Sequence, residues 1–339
     1  MLRFWLRLLS PVFAVLLYCI PAAGTEENAA PVEQKSKESS KFVLSVSAQT
    51  GYQHMDLNFR APIITNNVVG LELFTRSPVH LRLHDGNLWV SGFAADAKIG
   101  GLSGFFDWKI AKPREAEVIS PSEPFWGGLY SAKWHDCNLK WWAVNAGAGF
   151  DILNRFSIVD HLTLQAGLKA EHLNLGLGTP IDDPTLIPQF KLRFGDDYRG
   201  YLESELLIPW MGFQVQASRL NASVRFSPYA YANVKIPFSY YFVGTPLIGY
   251  EHEVYTFRNH GMWLEGNLAY EVLRIAGWSC TLWGQASWLW IHGRAYSTYR
   301  EDLYLSGAHV GQMTDASSAA DSKYNTGTYG IGLRISYNF

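Results

Sequence analysis

The sequence predicts an all-β fold: a closed antiparallel transmembrane β-barrel of about ten strands, or about twelve if one further hairpin joins the sheet. Three observations predict it. Apolar residues recur at every second position through most of the chain, the period of a strand with two unlike faces. Aromatic residues make up 15%, with thirteen Trp and eighteen Tyr, while charged residues reach only 17%. No internal run of apolar residues is long enough for a membrane helix, yet the composition suits strands of which only one face meets lipid.

The 339 residues carry a formal net charge of −2, which gives no footprint for nucleic acid. Residues 1–24 read as a secretory signal peptide: Arg3 and Arg7, an apolar stretch from Leu8 to Ile20, and small residues Ala22-Ala23-Gly24 at the cut. Cys19 follows Leu-Leu-Tyr and so lacks the small residue that lipoprotein processing requires. Residues 25–41 are polar and form a flexible periplasmic lead-in, and residues 42–339 form the barrel.

The clearest strand is "WSCTLWGQASWLWIHGR", with Trp278, Cys280, Leu282, Ala286, Trp288 and Trp290 on one face and Ser279, Thr281, Gln285 and Ser287 on the other. "LTLQAGLKAEH" sets Leu162, Leu164, Ala166, Leu168 and Ala170 against Thr163, Gln165, Lys169 and Glu171. "VRFSPYAYANVKIPF" reads as one strand with Val224 through Phe238 on the apolar side and Arg225 and Lys235 on the polar side. Similar alternation marks "WAVNAGAGFDI", "MWLEGNLAYEV" and the closing "TYGIGLRISYNF". A soluble sandwich also alternates, but these runs far exceed the usual five or six or so residues of its strands. Lipid leaves no backbone N–H a water to bond, so a sheet there must close on itself.

Connections alternate short and long. "LNRFSIVD", "RLNA" and "RIAG" are tight, whereas residues 111–136, 176–200, 242–261 and 300–322 read as long surface loops. Counting back from Phe339 gives strands near 324–339, 278–298, 260–273, 222–239, 200–217, 161–176, 137–153 and 102–111, with Asn87–Ala97 and Phe42–Phe59 upstream. Residues 66–84 are either part of the first surface loop or the additional hairpin.

The terminal "RISYNF" resembles the closing signature of Gram-negative outer-membrane proteins. That resemblance implies location in the outer membrane, partners in its lipid and lipopolysaccharide, and recognition of Tyr337 and Phe339 by the barrel-assembly machinery. The strand number and tall loops are similar in architecture to the omptin proteases. "WWAVNAGAGFDIL", "LTLQAGLKAEHLNL" and "IPWMGFQVQ" resemble uncharacterised barrel proteins of environmental chlamydiae, over about a third of the chain.

The omptin resemblance implies paired acids, and an Asp with a His, on one strand face at the outer rim, where i, i+2 spacing puts both side chains. Among the His–acid candidate groups, Glu251 and Glu253 alone have that spacing. His84-Asp85, His135-Asp136, Glu171-His172 and Asn259-His260 are adjacent in sequence and diverge on a regular strand. His172 is also the one candidate for a lipid-modifying site. Nothing completes a metal site around residues 251–253. Asp182-Asp183 and Asp196-Asp197 have Ca²⁺-binding chemistry, but solvated acidic turns are the commoner use of such pairs. No cofactor, metal or catalytic group is therefore expected, and nothing in the sequence fixes an oligomeric state.

The strand phases send Asp107, Lys109, Asp151, Lys169, Glu171, Arg225, Lys235, Glu265, Glu271 and Arg334 into the lumen. There they form either a rigid internal charge network or a narrow solute path, because about eight strands make a filled barrel and sixteen or more an open one. The reading is a non-enzymatic barrel with a narrow porin-like or surface-exposed structural role, and a rim protease as the alternative. Cys137 is expected near the outer rim and Cys280 near the periplasmic rim, too far apart to pair.

Overall fold

The computed structural model describes residues 42–339 except 62–63, 69–70, 77–78, 113, 126–127, 157–158, 177–178, 181–184, 188–189, 192–200, 242–245 and 258–260. The expected signal peptide and lead-in lie outside the described residues.

Ten staves, alternately rising and falling, form one antiparallel ring. They are β1 (Phe42–Ala61), β2 (Val79–Ile99), β3 (Leu102–Ala111 and Arg114–Phe125), β4 (Gly128–Phe156) and β5 (Val159–Gly176). β6 (Tyr201–Ala217), β7 (Leu220–Ser227 and Tyr231–Tyr241), β8 (Leu247–Phe257 and Gly261–Ile275), β9 (Trp278–Leu305) and β10 (Ala308–Asn338) complete them. β10 returns to β1 in register from Ser45↔Asn338 to Arg60↔Lys323, so neither terminal strand leaves an open edge in the lipid. The Phe339 N–H adds a last bond to the Leu44 carbonyl, 2.9 Å away.

The sheet counts fourteen strand segments, not ten continuous strands. β7 is broken at Pro228, which has no N–H to give a ladder, and the two described segments of β3 and of β8 are separated by residues 112–113 and 258–260, of which 113 and 258–260 lie outside the described residues. A further short segment, Thr179–Pro180, pairs beside β4. Residues Ile64–Val68 and Leu71–Arg76 form a separate two-stranded hairpin outside the ring.

Several expected surface loops are strands instead. Residues 114–125, 128–136, 247–257 and 300–323 continue the sheet well beyond the expected ends. The reason lies in which face is apolar. In the lower half the outward residues are Val46, Ala48 and Tyr52 on β1, and the inward ones are Ser47, Gln49 and Gln53. Above that level the rows exchange character: His54, Asp56, Asn58 and Arg60 point out, and Met55, Leu57, Phe59 and Ala61 point in, fully buried. β5 does the same, from outward Leu164 and Leu168 to inward Leu173 and Leu175. On β4 the adjacent Trp141 and Trp142 point to opposite sides at the exchange: Trp141 is 4% exposed, Trp142 37%.

One physical rule produces both patterns. Where lipid surrounds the barrel, the outer face must be apolar and the interior is free to be polar. Above the bilayer the outer face meets water, so apolar side chains gain only by packing inside. The outer band of exposed apolar residues (Phe93, Phe150, Leu168, Met211, Leu282, Ile331) is thus the lipid contact, bordered by Trp89, Trp142, Tyr270 and Trp278. At the lower border Ala276 (φ 47) and Gly277 (φ 87) make the two-residue turn of opposite hand that a twisted hairpin requires.

Candidate functional site

The interior has two storeys. The lower one, inside the lipid band, is crossed by a continuous polar network. Arg334 on β10 donates to the Gln49 amide oxygen on β1 at 2.9 Å, and the Gln49 amide N–H donates to Asp107 on β3. Asp107 is 3.5 Å from the Lys109 ammonium, which donates across the lumen to Gln285 on β9 at 2.5 Å. Gln285 donates to Glu265 on β8 at 2.9 Å, and Glu265 gathers Arg225 at 3.1 Å and Lys169 at 3.6 Å. Lys169 also holds Glu171 at 3.1 Å. Buried charges are tolerable only when paired and bonded in this way.

Aromatic rings fill the space between. The Arg225 guanidinium lies 4.6 Å from the Trp210 ring centroid and 5.0 Å from that of Phe105, and Lys109 stands 5.0 Å over Trp283. Each ring lies close against inward glycines. A Cβ at Gly51 or Gly332 would stand 2.8 or 2.7 Å from Trp283, one at Gly167 would be 2.7 Å from Trp210, and one at Gly147 would be 2.7 Å from Phe105. Glycine is needed there for room, and the rings take the space a side chain would fill.

The upper storey is a packed apolar core. Phe59 of β1 meets Tyr255 of β8 edge-on across the lumen at 5.3 Å, and Phe257 lies 6.4 Å from both Phe59 and Tyr324. Tyr324 and Ser204 share a hydrogen bond of 2.8 Å between β10 and β6. Met55, Leu57, Leu139, Leu175, Leu202, Ile208, Trp263 and Leu289 fill the remainder, each at 2% exposure or less. Below this layer a cavity of about 420 Å³ descends from Trp141, Lys109 and Glu265 to Val43, Ser45 and Asn338 at the periplasmic rim.

Of the ten charged residues assigned to the lumen, Asp107, Lys109, Asp151, Lys169, Arg225, Glu265 and Arg334 line this cavity, and Glu171 is buried against Lys169. Asp151 sits near its mouth, taking bonds from Lys98 at 2.7 Å and Thr163 at 2.6 Å. Glu271 lies at the rim and is held by Arg274 at 2.6 Å. Lys235 is a correction. The break at Pro228 adds a residue between inward Ser227 and inward Ala230, so the parity of β7 flips and Lys235 faces the outer surface. It lies 3.6 Å from Glu203 and 3.3 Å from Glu205 there.

The rim candidates separate. His172 points outward and stacks on Trp142 at 5.6 Å, while Glu171 points in. His172, Glu203 and Glu205 could offer three ligand atoms within 4.8 Å of one another, and the Lys235 ammonium lies beside both carboxylates, offsetting one of their two charges. Glu253 is buried and accepts a 2.7 Å bond from the Tyr255 hydroxyl, and His252 is exposed on the opposite face. His135 contacts Asp136 at the surface. The side chains of His84, Asp85 and Glu251, and all of Asn259-His260, Asp182-Asp183 and Asp196-Asp197, lie outside the described residues. Tyr337 packs on Trp278 at 4.9 Å and on Phe339 at 4.8 Å, at the lower border. Cys137 is buried in the upper storey and Cys280 lies low on β9; neither is in a disulfide.

A closed ring with an outer apolar band and aromatic borders defines an outer-membrane β-barrel protein. No protein-family model and no curated protein sequence matches the chain. Among solved structures, the chain is similar to the outer membrane protease OmpT from Escherichia coli, with TM-score 0.63 and 12% identity, covering 90% of this chain and 100% of that one. It also aligns with the translocator domain of the autotransporter NalP from Neisseria meningitidis, at TM-score 0.31 and 10% identity over 87% of this chain and 88% of that one. A match to the toluene transporter TodX of P. putida has TM-score 0.31 and 8% identity, covering 87% and 90%. At these identities the likeness to OmpT speaks for the fold alone: a barrel of the Gram-negative outer-membrane type.

Proposed function

We propose that this chain is a non-conducting, non-enzymatic outer-membrane barrel whose role is carried by the tall water-facing part of its wall. The observation that carries this reading is the apolar layer of Phe59, Tyr255, Phe257 and Tyr324 that spans the lumen above the charge network. A hydrated solute or ion would have to shed its water to cross it, and a charge would pay several kcal/mol or more for that step. The porin-like option therefore gives way to the surface-exposed structural one. The protease alternative loses support at Glu253, whose carboxylate is turned inward and occupied by a tyrosine hydroxyl.

The test is conductance of refolded protein in planar bilayers. The wild type gives no discrete steps, while the combined Phe59→Ala, Phe257→Ala, Tyr324→Ala variant does. Steps from the wild type would restore the pore reading. Peptide cleavage by the wild type that Glu253→Gln abolishes would restore the protease.

A further inference from the structure

We propose that the blind lower cavity is a periplasm-facing binding site for a small zwitterion, a molecule bearing one carboxylate and one ammonium group. The argument starts from which charges are already matched. Lys98 is tied to Asp151, Lys109 to Asp107, and Lys169 and Arg225 to Glu265, each within ion-pair distance. Two opposite charges that line the same cavity, within electrostatic reach of each other, make no ion pair at contact distance among the described residues. Arg334 has a neutral partner, the Gln49 amide, and its Nε–H meets no acceptor. Asp96 is exposed to the cavity and makes no ion pair among the described residues. They sit on β10 and β2, the two strands flanking β1, at the levels of Gln49 and Ser45.

Two further donors point the same way. The indole N–H groups of Trp141 and Trp283, both on the cavity wall and 4% and 5% exposed, have no acceptor partner among the described residues. Buried polar groups left without partners are uncommon, and each calls for an acceptor, a water or a ligand, in the cavity. The volume of about 420 Å³ suits a small molecule. Lys98, Lys109, Lys169, Arg225 and Arg334 line the cavity with Asp96, Asp107, Asp151 and Glu265, and Glu171, which pairs with Lys169 from outside the cavity, brings the charges into balance. A neutral ligand with separated charges suits such a wall better than a net anion or cation. The carboxylate belongs at Arg334, and the ammonium at Asp96. Since the upper storey is shut, the molecule is held and released on the periplasmic side.

Titration calorimetry with glycylglycine on the refolded full chain tests this, with acetate and methylammonium as single-charge controls. Saturable binding of glycylglycine is expected, weakened more than about tenfold by Arg334→Gln and by Asp96→Asn, the loss expected of one charge-assisted contact. Neither residue is in an ion pair, so both variants are expected to fold, and heat-shifted gel mobility checks that. Absence of saturation overturns the proposal. So does acetate binding as well as glycylglycine with Asp96→Asn silent, or binding that neither variant alters. The periplasmic direction of release rests on the closed upper storey: a conducting wild type would remove that direction, while loss of glycylglycine binding in Arg334→Gln and Asp96→Asn would still assign the site.

Discussion

The Lys169 ammonium on β5 stands 3.6 Å from the Glu265 carboxylate on β8, although the two strands are not neighbours in the sheet. The pair is a strut across the lumen, and Arg225 braces it from a third strand at 3.1 Å. Replacing Glu265 by Gln leaves two cations facing each other in a buried site. Breaking a buried pair from one side costs about 3–5 kcal/mol. Urea unfolding in detergent micelles should show a loss of that size, and the double variant Lys169→Met, Glu265→Gln should lose less than the sum of the two single changes.

The aromatic-on-glycine contacts make a second prediction. At Gly332 a Cβ would lie 2.2 Å from the Thr50 carbonyl oxygen and 2.7 Å from Trp283, so neither backbone nor ring has room for it. Gly332→Val should destabilise the barrel by about 1–3 kcal/mol through overpacking. At Gly284, where the nearest atom to such a Cβ is 3.9 Å away, alanine should be nearly neutral. Thermal melting of the two variants side by side checks the contrast.

In the upper storey, truncating Phe257 to Ala should cost about 3–5 kcal/mol, the usual loss for a large buried aromatic. On its own it should not open the lumen, because Phe59 and Tyr324 still close the layer. Denaturation midpoint and bilayer conductance on the same preparation separate the two effects.

At the outer tip, Arg300 donates to Asp302 at 2.9 Å, with His309 at 3.5 Å, and these partners hold the Asp302 carboxyl below the usual carboxylate range. A carboxyl so depressed stabilises the fold at pH above its unfolded value, and the contribution disappears as pH falls through the folded one. Protection factors of the amides around residues 300–309, each exchange rate taken relative to the intrinsic rate at its own pH, should therefore be higher at pH 7 than at pH 3, and Asp302→Asn should narrow the difference.

Much of this architecture is written openly in the sequence. The lower parts of β9 (residues 278–287) and of the closing strand (residues 329–339) alternate, with Trp283 the one inward aromatic, so their existence and phase follow from the residue pattern. The exchange of faces is written there as well, but in a form that a single-environment reading merges into loops. On β1 the apolar positions move from Val46, Ala48 and Tyr52 to Met55, Leu57 and Phe59, an even-to-odd change with no insertion. The same change occurs between Ala170 and Leu173, and the Trp141-Trp142 pair marks it on β4. A reader who takes apolar to mean lipid throughout ends the strands at this line and assigns residues 114–136 and 247–257 to loops. The side of Lys235 is hidden for a different reason: the one-residue shift at Pro228 leaves no trace in the alternation, since every even position from Val224 to Ile236 is apolar, outward before the break and inward after it. The unmatched charges Asp96 and Arg334 could not be separated from the matched ones by sequence, because pairing across a lumen depends on which strands face each other.

The central claim is that the barrel wall reverses its faces at one level, with lipid outside below it and a dry core inside above it. A nitroxide scan along β5, in a background with Cys137 and Cys280 replaced by Ala, tests it most directly. Labels at Leu164 and Leu168 should collide with oxygen dissolved in lipid, a label at Asn174 with a water-soluble nickel chelate, and labels at Leu173 and Leu175 with neither. Collision of the Leu173 and Leu175 labels with the chelate would mean a wet interior, and with lipid oxygen a taller membrane band; either result would contradict the account.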